Sequence, residues 1–260
     1  MPMKLTKFAF ASITMLFLVA PLIAILPLAF TSSVILTYPI PSWSLRWFEE
    51  LFTADAWRRA IVNSIIIGTG TTSLATVLGT AASLGLRNRL IFFRGTMRTL
   101  FLLPMVVPAV VLGVGMQVLL ARFGLTNSYA GVIIAHTVVA VPFVVVSVTG
   151  ALAGIDRRVE LAAESLGASP ITVFRRVTLP LAMPGVLSGA VLAFATSLDE
   201  VVLTLFVAGP NQRTLARQMF SSIRENISPA IAAAAFLFIA VTVVVGLIVM
   251  LSRLTLAKRR

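Results

Sequence analysis

Residues 152–183 read LAGIDRRVELAAESLGASPITVFRRVTLPLAM. They separate two long apolar stretches and are too many for a tight turn between helices. Local signals within them spell two short helices. Asp156 is a good N-cap, and Val159, Ala162, Ala163 and Leu166 recur at helical spacing on one face. Gly167 suits the left-handed residue that closes a helix. Ser169 followed by Pro170 is an N-cap and a first-turn proline, which restarts one. Ile171, Phe174 and Val177 give the second helix an apolar face, and Pro180 and Pro184 are expected to punctuate the return to apolar sequence. A compact helix–turn–helix with a small-residue surface follows. On physics alone it suits either the docking of another subunit or a hairpin lying on lipid.

The flanks of this segment are of membrane type. Stretches without Asp, Glu, Lys or Arg run over 8–45, 60–86, 99–121, 123–155, 177–198 and 226–252. Each is long enough to cross a hydrocarbon core, which takes about 20 residues as a helix. Hydropathy and turn residues trim them to spans near 8–30, 60–86, 99–121, 128–151, 184–206 and 229–252. Composition agrees. Of 260 residues 58% are hydrophobic and 12% charged, with mean hydropathy +1.02; a soluble domain is about half apolar and a quarter charged. The fold class is therefore all-α, a polytopic membrane protein of six spans. The first apolar run is longer than a secretory h-region and no A-x-A site follows it, so with Lys4 and Lys7 it reads as a retained anchor.

A formal charge of +12 would suggest nucleic acid in a soluble protein. Here the charges sit between spans and report topology instead. With the N-terminus inside, the outer segments hold seven of the 21 basic residues: Arg46, Arg58, Arg59, Arg122, Arg213, Arg217 and Arg224. The inner segments hold the other 14, Arg89, Arg259 and Arg260 among them. That two-to-one bias predicts both termini in the cytoplasm, and no nucleic-acid partner is expected. The outer segment 31–59, with Trp43, Trp47 and Trp57, is expected to lie along the headgroup level. There is no cysteine, hence no thiolate site or thiol nucleophile.

Prolines at 21, 27, 104, 108 and 142 read as kinks that shape the bundle, or in the sharper reading as a hinge or pore-lining break. Gly68, Gly70, Gly79, Gly113 and Gly115 allow close helix approach. In span five, Asp199 and Glu200 lie ~22 Å along a helix that starts near residue 184. Carboxylates at that depth should face protein or water. Projected at 100° per residue, Ser188, Thr196, Ser197, Asp199, Glu200 and Thr204 share one half of the helix. Leu187, Val191, Phe194, Leu198, Val201 and Leu205 fill the other. The polar half suits a cavity wall, with paired acids suited to a cationic substrate or to a proton relay. An ion pair with Arg213 or Arg217 is the bland alternative. His136, the only histidine, reads as structural, and no metal site is expected. Gln117 and Asn63 are weaker pore-lining candidates.

Residues 160–180 resemble the signature loop of bacterial binding-protein-dependent ABC permeases. That pattern is Glu-Ala-Ala, three residues, Gly, nine residues, then Ile-x-Leu-Pro. Ala162, Ala163, Gly167, Val177, Leu179 and Pro180 occupy matching positions, while Leu161 stands where the motif has Glu. Glu160 lies just before it and Glu164 just after the alanines. The run from Ser197-Leu198-Asp199 through Phe206, Gly209-Pro210, Thr214-Leu215, Ser222-Ile223-Arg224 and Ser228-Pro229 is similar to the spermidine/putrescine branch.

The resemblance implies a type I importer permease (MetI-like) in a bacterial inner membrane. It implies no catalytic residue and no cofactor, with ATP hydrolysis on separate subunits. Consistently, the chain has no G-x-x-x-x-G-K-[ST] loop. The implied partners are a second homologous permease, two cytoplasmic ATP-binding subunits and a periplasmic or lipid-anchored substrate-binding protein, within membrane lipids. The implied coupling surface comprises Glu160, Ala162, Ala163, Glu164, Gly167, Ala168, Pro170 and Pro180. Thr196, Ser197, Asp199, Glu200 and Thr204 would guide a polyamine by alternating access. One domain is expected, with residues 1–59 as first span and outer segment, 60–252 as transport core and 152–183 as coupling loop. The alternatives are γ-aminobutyrate or an opine as the solute, a stand-alone secondary transporter built on Asp199 and Glu200, and, least supported, an intramembrane enzyme.

Overall fold

The computed structural model describes residues 2–87 and 92–258, with side chains over 6–87 and 92–247. Arg89, Arg259 and Arg260 lie outside the described residues, as do the side chains of Lys4, Arg253 and Lys258. Twelve α-helices follow in chain order among the described residues: α1 Pro2–Ile25, α2 Arg46–Thr53, α3 Asp55–Arg87, α4 Arg94–Leu102, α5 Ala109–Arg122, α6 Tyr129–Ala153, α7 Arg157–Ser165, α8 Pro170–Val173, α9 Leu179–Asp199, α10 Val202–Val207, α11 Leu215–Glu225 and α12 Ala230–Lys258. Five described helices are long and apolar enough to cross a bilayer, or six crossings if one bent pair counts as a span.

The bent pair falls on the third span expected over 99–121, where Pro104 and Pro108 read as kinks, and is bent far more than a kink. A 3-10 turn at Leu103–Met105 ends α4, and α5 departs from it at 98°. Pro104 and Pro108 supply no N–H, and each disfavours helical geometry in the residue before it. The opposite holds at Pro180 and Pro184. They do not punctuate the chain: α8 runs through a π-helical turn at Phe174–Thr178 straight into α9. Pro180 follows directly on the π turn, where the i to i+4 ladder is already interrupted.

The described chain divides into two compact units. The first joins the residues up to Arg58 with Gln218–Val241. Within it the outer segment folds back on itself: Thr31 bridges Trp43, and Trp47 Nε1 donates to the Ser33 carbonyl at 3.1 Å. Phe30, Phe48 and Phe236 form an aromatic cluster with ring centroids 5.1–5.6 Å apart. Trp47 and Trp57 are buried and only Trp43 is open, so most of the expected tryptophan belt is core.

The second unit, Arg59–Arg217 with the chain from Thr242, packs around Val144 of α6. A Cβ on Gly79 of α3 would stand 2.6 Å from Val144 Cβ, and one on Gly189 of α9 would stand 2.9 Å from its Cα. Glycine on both neighbours lets three backbones converge on one β-branched side chain, and a methyl at either would overpack by about 1–3 kcal/mol. Gly68 and Gly70 meet Phe194 and Ile133 in the same way, and Gly113 meets Phe206, whereas Gly115 has no neighbour within 4 Å of such a Cβ.

Candidate functional site: a docking loop and a broken helix

The segment 152–183 builds a short helix held against the end of a long one. Asp156 caps α7, its side chain accepting from Arg158 N at 2.9 Å. Gly167 ends α7 with φ +83°, the left-handed conformation. Ser169 occupies the N-cap of α8 with extended backbone, but its hydroxyl pairs with Thr172 Oγ1 at 2.9 Å and makes no cap bond. Pro170 follows at the first helical position.

Glu160 does not face outward as a docking residue. Its Oε1 accepts from Arg87 Nη1 at 2.5 Å and from Thr178 Oγ1 at 2.5 Å. Arg87 also donates to the Ile155 carbonyl at 3.2 Å. One carboxylate thus fastens α7 to the last residue of α3 and to the π turn entering α9. Glu160 and Glu164 lie a turn apart on the same side of α7 and both border a cavity beside Arg87, and Glu160 is the one that pairs with it. What faces out is apolar and small. Leu166 is 89% exposed, Ile171, Leu161 and Val159 are exposed, and so is Ala162. Ala163 and Ala168 are half-buried, and Glu164, Gly167, Pro170 and Pro180 are exposed. Leu161, at the motif's Glu position, carries no charge into this surface.

The second expected site changes more. Span five is not one helix over 184–206. It stops at Asp199, Glu200 takes an extended conformation at ψ 105°, and α10 begins at Val202. The projection at constant 100° per residue therefore fails beyond Asp199. Ser197 and Thr204 do not line a path, since both are buried against His136. The imidazole bonds Ser197 Oγ at 2.9 Å through Nδ1 and Thr204 Oγ1 at 2.9 Å through Nε2. His136 of α6 is thereby a buried clamp across the break. Leu198, placed on the apolar outer half, is also buried.

Glu200 is half-buried and its Oε1 accepts from Leu203 N at 2.8 Å, so it caps α10. A carboxylate suits that position, where unpaired N–H groups and the helix dipole converge. Asp199 remains exposed and Thr196 half-buried. Among the described residues neither acid forms a salt bridge with Arg213 or Arg217. Arg217 instead donates to the Thr204 and Ala208 carbonyls at 3.1 and 2.8 Å, covering the C-terminal end of α10. Burial and the nearby Arg213 charge lower its pKa from the ordinary value, though a guanidinium stays protonated.

Asn63, a weak pore-lining candidate, is 3% exposed and fastens the segment after α10. Its amide donates to the Asn211 and Arg213 carbonyls at 2.9 and 2.8 Å, and Tyr129 donates to its Oδ1 at 2.7 Å. Ser64 Oγ accepts from Leu215 N at 2.7 Å. An asparagine followed by serine at the start of an apolar span was the available signal, because polar groups there need partners.

Comparison with known proteins places this geometry. Residues 75–260 match the family described as binding-protein-dependent transport system inner membrane component. The putrescine transport system permease protein PotI of Escherichia coli K12 is 35% identical over 240 residues, covering 89% of this chain and 85% of that protein. The spermidine/putrescine permease protein PotC of Haemophilus influenzae is 33% identical over 220 residues, covering 84% and 82%. The molybdenum permease protein ModB of Mycobacterium bovis is 36% identical over 216 residues, covering 76% and 81%. Among solved structures, a bacterial alginate ABC importer has TM-score 0.72 at 14% identity over 95% of each chain. The methionine transporter MetNI has TM-score 0.64 at 18% identity over 76% of this chain and 95% of that one.

Proposed function

Because this chain belongs to the inner membrane components of binding-protein-dependent transport systems, we propose that it is the permease subunit that passes a polyamine, putrescine or spermidine, into the cytoplasm. The observation that carries the substrate class is the pair of relatives named for putrescine and spermidine, each matched over more than four-fifths of its length. The molybdenum relative aligns over a smaller share of this chain. An exposed carboxylate at a helix break adds chemical support.

Of the two acids, Asp199 is the one free to meet an ammonium group. Glu200 is engaged on the Leu203 amide. Two charges ~4 Å apart interact by roughly 1 kcal/mol in water and 4 kcal/mol at the lower effective dielectric near protein. Asp199 therefore gives a cation a modest, reversible preference for this point on its way through. Thr196 lies one turn before it on α9. At the other end, ATP-driven movement would enter through α7, whose outward face offers Ala162, Leu166 and Gly167 to the ATP-binding subunit. Glu160 would pass that movement to α3 and α9. A binding protein, a second permease and two ATP-binding subunits complete this reading, in which the chain itself performs no hydrolysis.

The test is ATP-dependent uptake of labelled putrescine and spermidine into vesicles holding the whole complex. Asp199→Asn is expected to reduce uptake about tenfold, a change of roughly 1.4 kcal/mol, with assembly and ATP hydrolysis retained. Undiminished uptake would remove Asp199 from the path. Uptake of γ-aminobutyrate or an opine instead would keep the importer and change its solute. Uptake by the chain alone on a gradient would replace the importer with a secondary transporter.

A further inference from the structure

A seam beside α4 orders its chemistry from charged to apolar. The last turns of α3 and α6 and the first turns of α4 and α7 surround a cleft of about 420 Å3. Arg87, Arg94 and Arg157 all line it, and among the described residues no carboxylate does. Arg87 is engaged by Glu160, whereas no salt bridge reaches Arg94 or Arg157 among the described residues. Thr149 Oγ1 in the same wall is buried with no hydrogen-bond partner among the described residues. Farther along α3, α4 and α6, Leu78, Leu100, Phe101 and Val138 line a groove of about 290 Å3 that is almost wholly apolar. Leu78 is ~14 Å along α3 from Arg87, and Leu100 is ~9 Å along α4 from Arg94. Helix α4 buries none of its residues, so the seam runs beside an element its neighbours do not enclose.

We propose that this seam holds an anionic phospholipid, its phosphate between Arg94 and Arg157 and one acyl chain in the groove. Guanidinium forks match phosphate oxygens, and basic pockets between helix ends take lipid headgroups. Thr149 adds a hydroxyl that lacks a partner. The sequence of chemistry along the seam selects lipid over a free phosphate, which would occupy the cleft and leave the groove unused.

The experiment uses the assembled transporter in mild detergent and native mass spectrometry. Phosphatidylglycerol is expected to be retained over phosphatidylethanolamine, and Arg94→Gln with Arg157→Gln should lower that retention roughly tenfold. Equal retention of the two lipids, or retention unchanged in the double variant, overturns the proposal. Displacement of phosphatidylglycerol by millimolar inorganic phosphate overturns the lipid assignment in favour of a free-anion site. If the double variant does not assemble, the unaltered complex still decides. Phosphatidylglycerol with a photoreactive acyl chain should label peptides from α4 and α6, and labelling confined to other helices overturns the proposal. These measurements read lipid rather than solute, so they can fail while the transport reading stands.

Discussion

Glu160 joins three elements through one carboxylate, and its environment sets what losing it would do. Its side chain is 15% exposed and that of Arg87 is 24% exposed, so the pair is neither on the surface nor fully desolvated. Surface pairs are worth about 0–1 kcal/mol, while breaking a buried pair costs roughly 3–5. Glu160→Gln keeps the shape and still accepts from Thr178, but leaves the Arg87 charge without its partner. The expected cost is about 1–3 kcal/mol, seen as a lower melting temperature of the complex. The larger effect should be on coupling: α7 would no longer be fastened to α3, and less solute would enter per ATP hydrolysed. Measuring uptake and hydrolysis in the same vesicles checks this. A ratio unchanged from the unaltered complex would show that Glu160 only holds α7 in shape.

At the level of elements, α7 is defined by its two ends. Gly167 closes it at φ +83°, and nothing lies within 4 Å of where a Cβ would stand. Gly167→Ala therefore meets no clash and isolates the conformational cost, about 1–2 kcal/mol for a left-handed L-residue. The expected outcome is a frayed end to α7 and weaker capture of the ATP-binding subunit in pull-down from membranes, with the spans intact. Capture equal to that of the unaltered chain would mean that the outward face does not depend on this turn.

These local features were legible because each depends on a few adjacent residues: Asp156 before α7, Gly167 after it, Pro170 restarting the chain. The misread elements depend on contacts distant in sequence. Nothing near Glu200 announces that the helix breaks there, because the side chain that clamps the two halves, His136, comes from α6, and the one that covers the far end of α10, Arg217, comes from beyond it. Pro104 and Pro108 were visible as possible breaks, but not the 98° angle between the helices on either side. Pro180 and Pro184 read as punctuation before span five, yet the chain stays helical through both, with a π turn at Phe174–Thr178 just before them.

For the molecule as a whole, orientation is the premise on which the coupling reading rests. Crossings alone do not give it, since a helical bundle can be inserted either way. The basic residues argue for one through their bias, 14 expected inside against seven outside. That bias acts over short loops, which these are. Read that way, α7 would lie in the cytoplasm within reach of the proposed ATP-binding subunits, and the segment after α10 would lie on the side from which a binding protein would deliver. A chain without cysteine permits a clean reading, since one introduced thiol is the only one present. Ser165 on α7 and Asn211 after α10 are both exposed, and Asn211 is engaged through its backbone carbonyl, which substitution leaves in place. In intact spheroplasts a membrane-impermeant maleimide should label Asn211→Cys at once and Ser165→Cys only after the membrane is opened. The reverse pattern would put α7 outside, where no ATP-binding subunit could reach it. The outward apolar face of Leu161, Leu166 and Ile171 would then need a different occupant.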